Sequence, residues 1–465
     1  MSLRTLSVKP LTLLNYLILL LLSIFAWLQW GESYDSTTWS RFITAISLIL
    51  LGYQLLYLKI KKVSFYDFRI WYMILSNLFM FGRIYVNVLD YDNILSAWSI
   101  FYSNELLLKT ALFVLVFHQA LFIGFNIGDE KQYNYFKVKI EKPSSKIYKC
   151  GLLLMIVGLP CRVITDLYAI RSVQATGSYT NIQVTSGLVE DFAIIFVPAV
   201  VYILVSRYLK KQTAQLMFVA VIIYFVIEMI LTGDRRYQII GCIVVSLCYL
   251  KTYSEKILSA KSVLLVLAAF FGLNVIFQLR KVRDGNLTGV IDFFKGMVEN
   301  TRNFNIILET LTEFGISFYS VAGVVKNIPS VISFQNGLGF YGAIPSILPI
   351  GFVAGDFFKK VSISNTINAM EQRPVGATLI GDFYANFGWW SIFFVILFGY
   401  IMMKMLLVHK NDEIYVQANY FSMMYIFMNL IRSSFYEVVR PAFIVLVFPM
   451  LILYLIKRER KIKYV

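Results

Sequence analysis

Runs of apolar residues long enough to cross a lipid bilayer recur along this chain, and no other feature constrains its fold as strongly. Crossing the hydrocarbon core as a helix takes about 20 residues, and a helix satisfies its own backbone hydrogen bonds where no water is at hand. Such runs fall at about 11–30, 42–58, 68–88, 105–125, 149–169, 191–206, 214–232, 237–250, 262–279, 388–408, 415–431 and 441–456. The expected fold is all-α: a polytopic integral membrane protein with about 12 transmembrane helices. Composition agrees, since 15% of the 465 residues are charged and soluble domains carry about 25%.

The net charge of +16 does not point to nucleic acid, because Lys and Arg collect in particular loops. The N-terminus, Lys59-Ile60-Lys61-Lys62, the 126–148 loop, Arg207 to Lys211, Lys251 to Lys261 and the tail Lys457-Arg458-Glu459-Arg460-Lys461 are basic. They alternate with short loops that are acidic or neutral and aromatic, such as Glu32 to Trp39 and Asp90 to Glu105. By the positive-inside rule the basic set is cytoplasmic, and both termini with it. The run at 11–30 is too long for a signal-peptide core, and Trp27-Leu28-Gln29-Trp30 offers no cleavage site, so it reads as an uncleaved first span. Cys150, Cys161, Cys242 and Cys248 lie in or beside apolar runs without metal-ligand spacing. His118 and His409 are the only histidines and are far apart in the chain. No metal and no cofactor is expected.

This orientation puts three unusual stretches on the outer side. The first is Leu231-Thr232-Gly233-Asp234-Arg235-Arg236-Tyr237-Gln238, a charged turn between two spans. The second is the long segment 280–387, which divides the chain into an N-terminal bundle (1–279, about nine spans), an outer loop, and C-terminal helices with a basic tail (388–465). Within it, residues 289–326 carry apolar residues at helical spacing with charges between, which predicts amphipathic helices on the membrane surface or the bundle. Residues 337–355 are apolar but broken by Gly337, Gly339, Gly342, Pro345, Pro349, Gly351 and Gly355. They suit a re-entrant or cavity-lining segment, or alternatively a full span with a compensating crossing before residue 388. The third stretch is Arg432 to Arg440. No internal repeat is visible.

Charges in such a chain need a reason. Arg162 and Asp166 are spaced i,i+4 on one helix face, either as a neutralising pair or as a wall of a substrate cavity. Glu228 lies one turn before Thr232 and can hold the arginine at 235. Arg83 and Lys109 are near outer span ends and read as snorkelling. Arg235, Arg236, Arg280, Lys281, Arg283, Arg373, Arg432 and Arg440 share the outer face. Singly, each suits a lipid headgroup. As a set they suit a phosphate or pyrophosphate, which Arg grips bidentately. Gly376 to Trp390 contains Asp382, Tyr384 and Asn386, residue types that fit a general base and sugar hydroxyls, or an aromatic belt at the interface.

An outer Gly-x-Arg turn, an arginine-opened long loop (Arg280 to Gly285) and the stretch Gly381-Asp382-Phe383-Tyr384-Ala385-Asn386-Phe387-Gly388 together resemble the Wzy-type O-antigen polymerases, the oligosaccharide repeat-unit polymerases of the bacterial inner membrane. The doubled Arg235-Arg236 departs from the single basic position of that family. The resemblance implies a GT-C-like membrane glycosyltransferase that works without a metal. Its donor and acceptor would both be oligosaccharide units on undecaprenyl pyrophosphate. The growing glycan would move to the non-reducing end of the incoming unit at the periplasmic face, and undecaprenyl pyrophosphate would leave. Arg235, Arg236 and Arg280 would then stabilise the leaving group and Asp382 would take the acceptor proton. Arg283, Arg432, Arg440, Arg373, Tyr384, Asn386, Arg162, Asp166 and Glu228 would line the substrate site. The family commonly works with a chain-length regulator, a candidate partner. Competing readings are a ligase-like transferase and a flippase for the same lipid-linked unit; a flippase would have short loops and a central charged cavity.

Overall fold

The computed structural model describes residues 3–89, 101–129, 143–176, 187–232, 236–254, 306–348, 351–372, 374–407 and 413–462. Regular structure among them is helical: α1 (Leu3–Leu28), α2 (Ser36–Ile60), α3 (Phe68–Val88), α4 (Asn104–Gly128), α5 (Ser145–Thr176), α6 (Gly187–Ala193), α7 (Phe196–Val205), α8 (Lys211–Thr232), α9 (Arg236–Tyr253), α10 (Ile306–Phe314), α11 (Ser317–Asn327), α12 (Leu338–Tyr341), α13 (Gly351–Val361), α14 (Ile363–Glu371), α15 (Leu379–Phe387), α16 (Ser391–Leu406), α17 (Glu413–Asn429) and α18 (Phe435–Ile462). Single 3₁₀ turns at Ile344–Ile347 and Gly388–Trp390 complete the set. Every expected span within the described residues coincides with a helix, and the one at 262–279 lies outside them. Among the described residues eight helical stretches, with α6–α7 and α15–α16 each counted as one, are long and apolar enough to cross a membrane. The helices at three further expected spans fall short of that standard. α3 carries Arg69, Ser76, Asn77 and Arg83 along its length, and α9 and α17 are only 18 and 17 residues long.

The chain packs as two units, each assembled from separate stretches of sequence: residues 1–138, 311–408 and 430–440 in one, and 139–310, 409–429 and 441–465 in the other. In the first unit α4 is the central post, with 89% of its spanning window buried. It packs on α1, α2, α3, α11 and α16. Helices in lipid gain little from apolar burial against each other, so small residues that let backbones touch matter more. Here α4 and α16 meet at Gly124 and Gly399: a Cβ built on Gly124 would fall 2.2 Å from the Ile396 carbonyl oxygen. Polar side chains tie α4 to α1, α2 and α3. Gln54 Nε2 donates to Gln119 at 3.2 Å, Gln119 Nε2 to the Asn15 carbonyl at 3.0 Å, and Ser76 pairs with His118 at 2.8 Å. Arg69 at the start of α3 bonds Asp67 at 2.9 Å and Asp129, just past α4, at 2.7 Å. In the second unit α5 packs on α6, α7 and α8, and α9 on α7, α8 and α17.

The outer-loop expectations are resolved where residues are described. Residues 289–305 lie outside the description. Of the rest, α11 is almost wholly buried and packs on α3, α4, α14 and α15, so it belongs to the bundle and does not lie on a lipid surface. Arg83 does not snorkel: it is 8% exposed, its Nε donates to the Thr312 carbonyl at 2.9 Å, and its guanidinium lies 5.2 Å from the Tyr319 ring centroid. The broken stretch from 337 onward holds no helix of spanning length among its described residues. It is α12, a 3₁₀ turn, and then α13 with a kink at Ala354. The glycines and prolines predict this interruption.

The α4–α16 contact makes a test. Gly124→Val must push the two backbones apart and is expected to destabilise by about 1–3 kcal/mol or more. Gly52→Ala on α2, with nothing within 4 Å of the added Cβ, should be neutral or slightly stabilising by its helix propensity. Thermal unfolding of the two purified variants reads the difference.

Candidate functional site

Within the stretch 376–390, which leads into the span expected at 388, Leu379–Phe387 form a helix. Thr378 caps its start by accepting from the Gly381 amide at 3.4 Å. Ile380, Phe383 and Phe387, spaced three and four apart, give α15 one apolar face. The helix ends at Gly388, whose φ of +53° an L side chain rarely adopts, and whose Cβ would meet the Phe334 ring at 2.9 Å. The chain then turns through Gly388–Trp390 into α16.

Each polar residue of α15 reaches a different segment of the first unit. Asp382 is 3% exposed. Ser434 Oγ lies 2.9 Å from its Oδ2 and 3.1 Å from its Oδ1, and the Phe435 amide, the first of α18, donates to Oδ2. Asn386, fully buried, donates to the Asp382 carbonyl at 2.8 Å and accepts from the Gly339 amide at 2.9 Å. The Gln335 and Asn336 amides donate to the Ala385 and Asn386 carbonyls at 2.9 and 3.0 Å. Gly339 has no room for a side chain, since a Cβ would fall 2.6 Å from Asn386 Nδ2. Tyr384 is buried edge-to-face on Phe113, with 4.9 Å between centroids. Phe340 fills the space between, 4.6 Å from Phe383 and 5.0 Å from Phe435.

The stretch Arg432 to Arg440 closes this assembly. Arg440 donates from Nε to the Ser346 carbonyl, so α18 is fastened to the 335–348 segment at a second point. Arg432 lies over the Phe79 ring at 5.2 Å. Both arginines are half-buried. The structure thus brings together Asp382, Asn386, Arg440 and Arg432, with Tyr384 packed behind them. Tyr384 and Asn386, expected to meet sugar, are instead committed to internal packing and hydrogen bonds. The Asp382 carboxylate, expected as a base, is enclosed and already accepts two donors. The sequence does not single out Ser434 or Ser346, and it marks Gly339 only as one of the breaks in 337–355. One signal was present: Ser434 followed three residues on by Glu437 is a capping-box pattern, which marks a helix start at 435, ahead of the span expected at 441.

The second unit holds a separate ionic cluster. Arg162 of α5 bonds Asp166 at 2.9 Å and also pairs with Glu228 of α8. The Tyr224 hydroxyl donates to Asp166, and Gln238 of α9 donates to Glu228. The neutralising reading of Arg162 and Asp166 fits, widened to a triad. Glu228, expected to hold the arginine at 235, has Arg162 and Gln238 as its described partners. Gln238 sits in the first turn of α9 and Glu228 in the last turns of α8, so this bond ties the two ends of the 231–238 stretch. Arg235, Arg280, Arg283 and Arg373 lie outside the described residues, as does the side chain of Arg236. Among the described residues no group of three His, Cys, Asp or Glu side chains is placed to hold a metal ion.

Many apolar helices, broken helices inside the bundle, and buried polar side chains that fasten them define an integral membrane protein with a polar centre built from several helices. The chain belongs to the O-antigen polysaccharide polymerase Wzy family, whose model matches residues 12–461, nearly its whole length. No curated protein and no solved structure matches it. It is a bacterial membrane protein, a glycosyltransferase-type polymerase of lipid-linked oligosaccharide repeat units.

Among its described residues the cluster in the second unit carries one formal positive charge against two negative. Removing the arginine strands two buried carboxylates, and breaking a buried pair in this way costs about 3–5 kcal/mol. Arg162→Met should therefore lower the unfolding temperature steeply. Glu228→Gln keeps acceptors for Arg162 and Gln238 and relieves the excess negative charge, so it should be much better tolerated in the same melting experiment.

Proposed function

We propose that the protein joins oligosaccharide units carried on undecaprenyl pyrophosphate at the periplasmic face of the inner membrane. A hydroxyl at the non-reducing end of the incoming unit attacks the anomeric carbon that links the growing glycan to its carrier. The bond to pyrophosphate breaks, the hydroxyl proton passes to the departing pyrophosphate, and undecaprenyl pyrophosphate leaves. The architecture proposed for this is GT-C-like, with about twelve spans, cytoplasmic termini and residues 280–387 on the outer side. The single observation that carries the reading is the fastening of the arginine-bearing segment 432–440 onto α15 and the 335–348 segment in a chain of this family.

Departure of a pyrophosphate builds negative charge on the bridging oxygen. Guanidinium groups held in place beforehand neutralise that charge without reorganising, and they stay charged at any working pH. Arg235, Arg236 and Arg280 are the proposed stabilisers. Arg283, Arg373, Arg432 and Arg440 are proposed to bind the phosphates and the glycan near them. The chemistry proposed needs no metal and no nucleotide sugar. A chain-length regulator is the proposed protein partner, beside the membrane lipids that surround the helices.

Deleting the gene in its host and resolving the surface glycan on a gel tests the function. A polymerase deletion leaves the acceptor capped with a single repeat unit, whereas a flippase deletion leaves none. A glycan with no unit at all, with export otherwise intact, would refute the polymerase reading. Purified protein elongating a lipid-linked unit in EDTA tests the metal-free chemistry. Among the arginines, losing one pre-placed donor typically lowers kcat about 10²–10³-fold. Arg→Lys at 235 and at 236, made separately, should show that loss only at the position that grips phosphate bidentately.

A further inference from the structure

We propose that Asp382 and Ser434 are positioning residues: a carboxylate–serine latch that fixes the start of α18 and so sets the arginines on either side of it, with Asp382 taking no proton from the substrate. This deepens the polymerase reading and rests on it only for the identity of what the arginines hold.

Three observations carry the latch. First, the carboxylate is buried and already accepts two donors from the start of α18. Ser434 has one hydroxyl proton, shared between two carboxylate oxygens at 2.9 and 3.1 Å, and the Phe435 amide takes Oδ2 as well. A general base must reach the proton that it abstracts, and a carboxylate 3% exposed, with Ser434 and Phe435 both on Oδ2, turns its oxygens toward the start of α18. Second, the contact falls at a helix start. An anion accepting the first amide of α18 satisfies a donor the helix cannot satisfy itself and lies at its favourable dipole end. The bond therefore fixes where α18 begins. Third, the arginines flank this point. Arg432 precedes Ser434 by two residues, and Arg440 follows Phe435 by five, held at its Nε by the Ser346 carbonyl. The 335–348 segment that supplies Ser346 is itself bound to α15 through Asn386 and the Ala385 carbonyl. One short helix thus holds both sides of the Arg440 contact: Asp382 holds the start of α18, and Asn386 holds the segment that Arg440 touches.

The atoms predict which substitutions the latch survives. In Asp382→Asn an amide oxygen in place of Oδ2 still accepts from the Phe435 amide. The amide nitrogen in place of Oδ1 donates to Ser434 Oγ, whose hydroxyl reverses its role. Ser434→Thr keeps the hydroxyl. Asp382→Ala and Ser434→Ala remove the latch.

The test uses full-length protein in lipid nanodiscs, with lipid-linked repeat units extracted from the host's polymerase-deletion strain as probe. It reads kcat, KM and the pH profile of elongation, with hydrogen exchange across residues 432–440 measured in parallel. Asp382→Asn and Ser434→Thr should elongate within about tenfold of wild type, with an unchanged pH profile, well short of the roughly 10²–10⁴-fold loss that removing a general base brings. Asp382→Ala and Ser434→Ala should raise KM for the lipid-linked unit along with lowering kcat, and exchange at 432–440 should quicken as local opening becomes easier. A hundredfold or greater loss in Asp382→Asn with exchange at 432–440 still protected would make Asp382 the base and overturn the latch. Unchanged exchange in both alanine variants would overturn it too. If Asp382→Asn does not fold, the comparison of Ser434→Thr with Ser434→Ala decides by the same exchange readout. Wild-type protein that fails to elongate counts against the polymerase reading alone, since the exchange measurement judges the latch without turnover.

Discussion

A carboxylate that has left water for the inside of a helical membrane bundle must find every hydrogen bond in the protein. Asp382 finds them in Ser434 and the Phe435 amide, and much of the first unit's polar architecture follows from that. The bond defines where α18 starts, which defines where Arg440 can reach, which in turn fastens the 335–348 segment. That segment is irregular, and buried irregular backbone survives only when protein meets its donors and acceptors. Here α15 meets several of them, through the carbonyls at its C-terminal end and the Asn386 side chain. The aromatic rings around Phe340 occupy the remaining volume and exclude water from these bonds, which strengthens them.

The same logic recurs in the second unit with ion pairs instead of a helix cap. Arg162 gathers Asp166 and Glu228, and Gln238 joins the end of α8 to the start of α9 through Glu228. Two fastenings of different chemistry therefore sit next to the two stretches that bear the most conspicuous charge, 231–238 and 432–440. A polymerase of lipid-linked sugars must keep its cations in place while a large flexible glycan enters and leaves. Binding energy spent on ordering a loop at each turnover is lost to transition-state stabilisation, so loops ordered in advance favour catalysis.

The pattern of expectations met and missed follows the range of each interaction. The interruption at 337–355 was legible because Gly and Pro act on their own backbone. The pairing of Arg162 with Asp166 was legible because it lies within one helical turn. Nearness in sequence pairs Glu228 with the arginine at 235, which lies outside the described residues, whereas the fold pairs it with Arg162, 66 positions away. Asp382 was read as a base for a related reason. A carboxylate among Tyr, Asn and Trp looks alike whether it faces solvent or another loop, and the choice was made by Ser434, 52 positions on. Arg83 was read as a snorkelling side chain from its place near a span end. Only the fold shows the Thr312 carbonyl and Tyr319 ring that enclose it, more than 200 positions away.

The sequence by itself determined that this chain is a bundle of membrane helices of the Wzy polymerase family, because a helix in lipid closes its hydrogen bonds locally and writes its length and breaks in consecutive residues. Only the tertiary structure decided which polar side chains meet. In a medium without water each buried donor and acceptor must be satisfied by whichever helix the fold brings alongside, and that neighbour is not written nearby in the chain. Hence Asp382, Asn386 and Glu228 stand out in the sequence as chemistry, and only the fold pairs them with Ser434, Gly339 and Arg162.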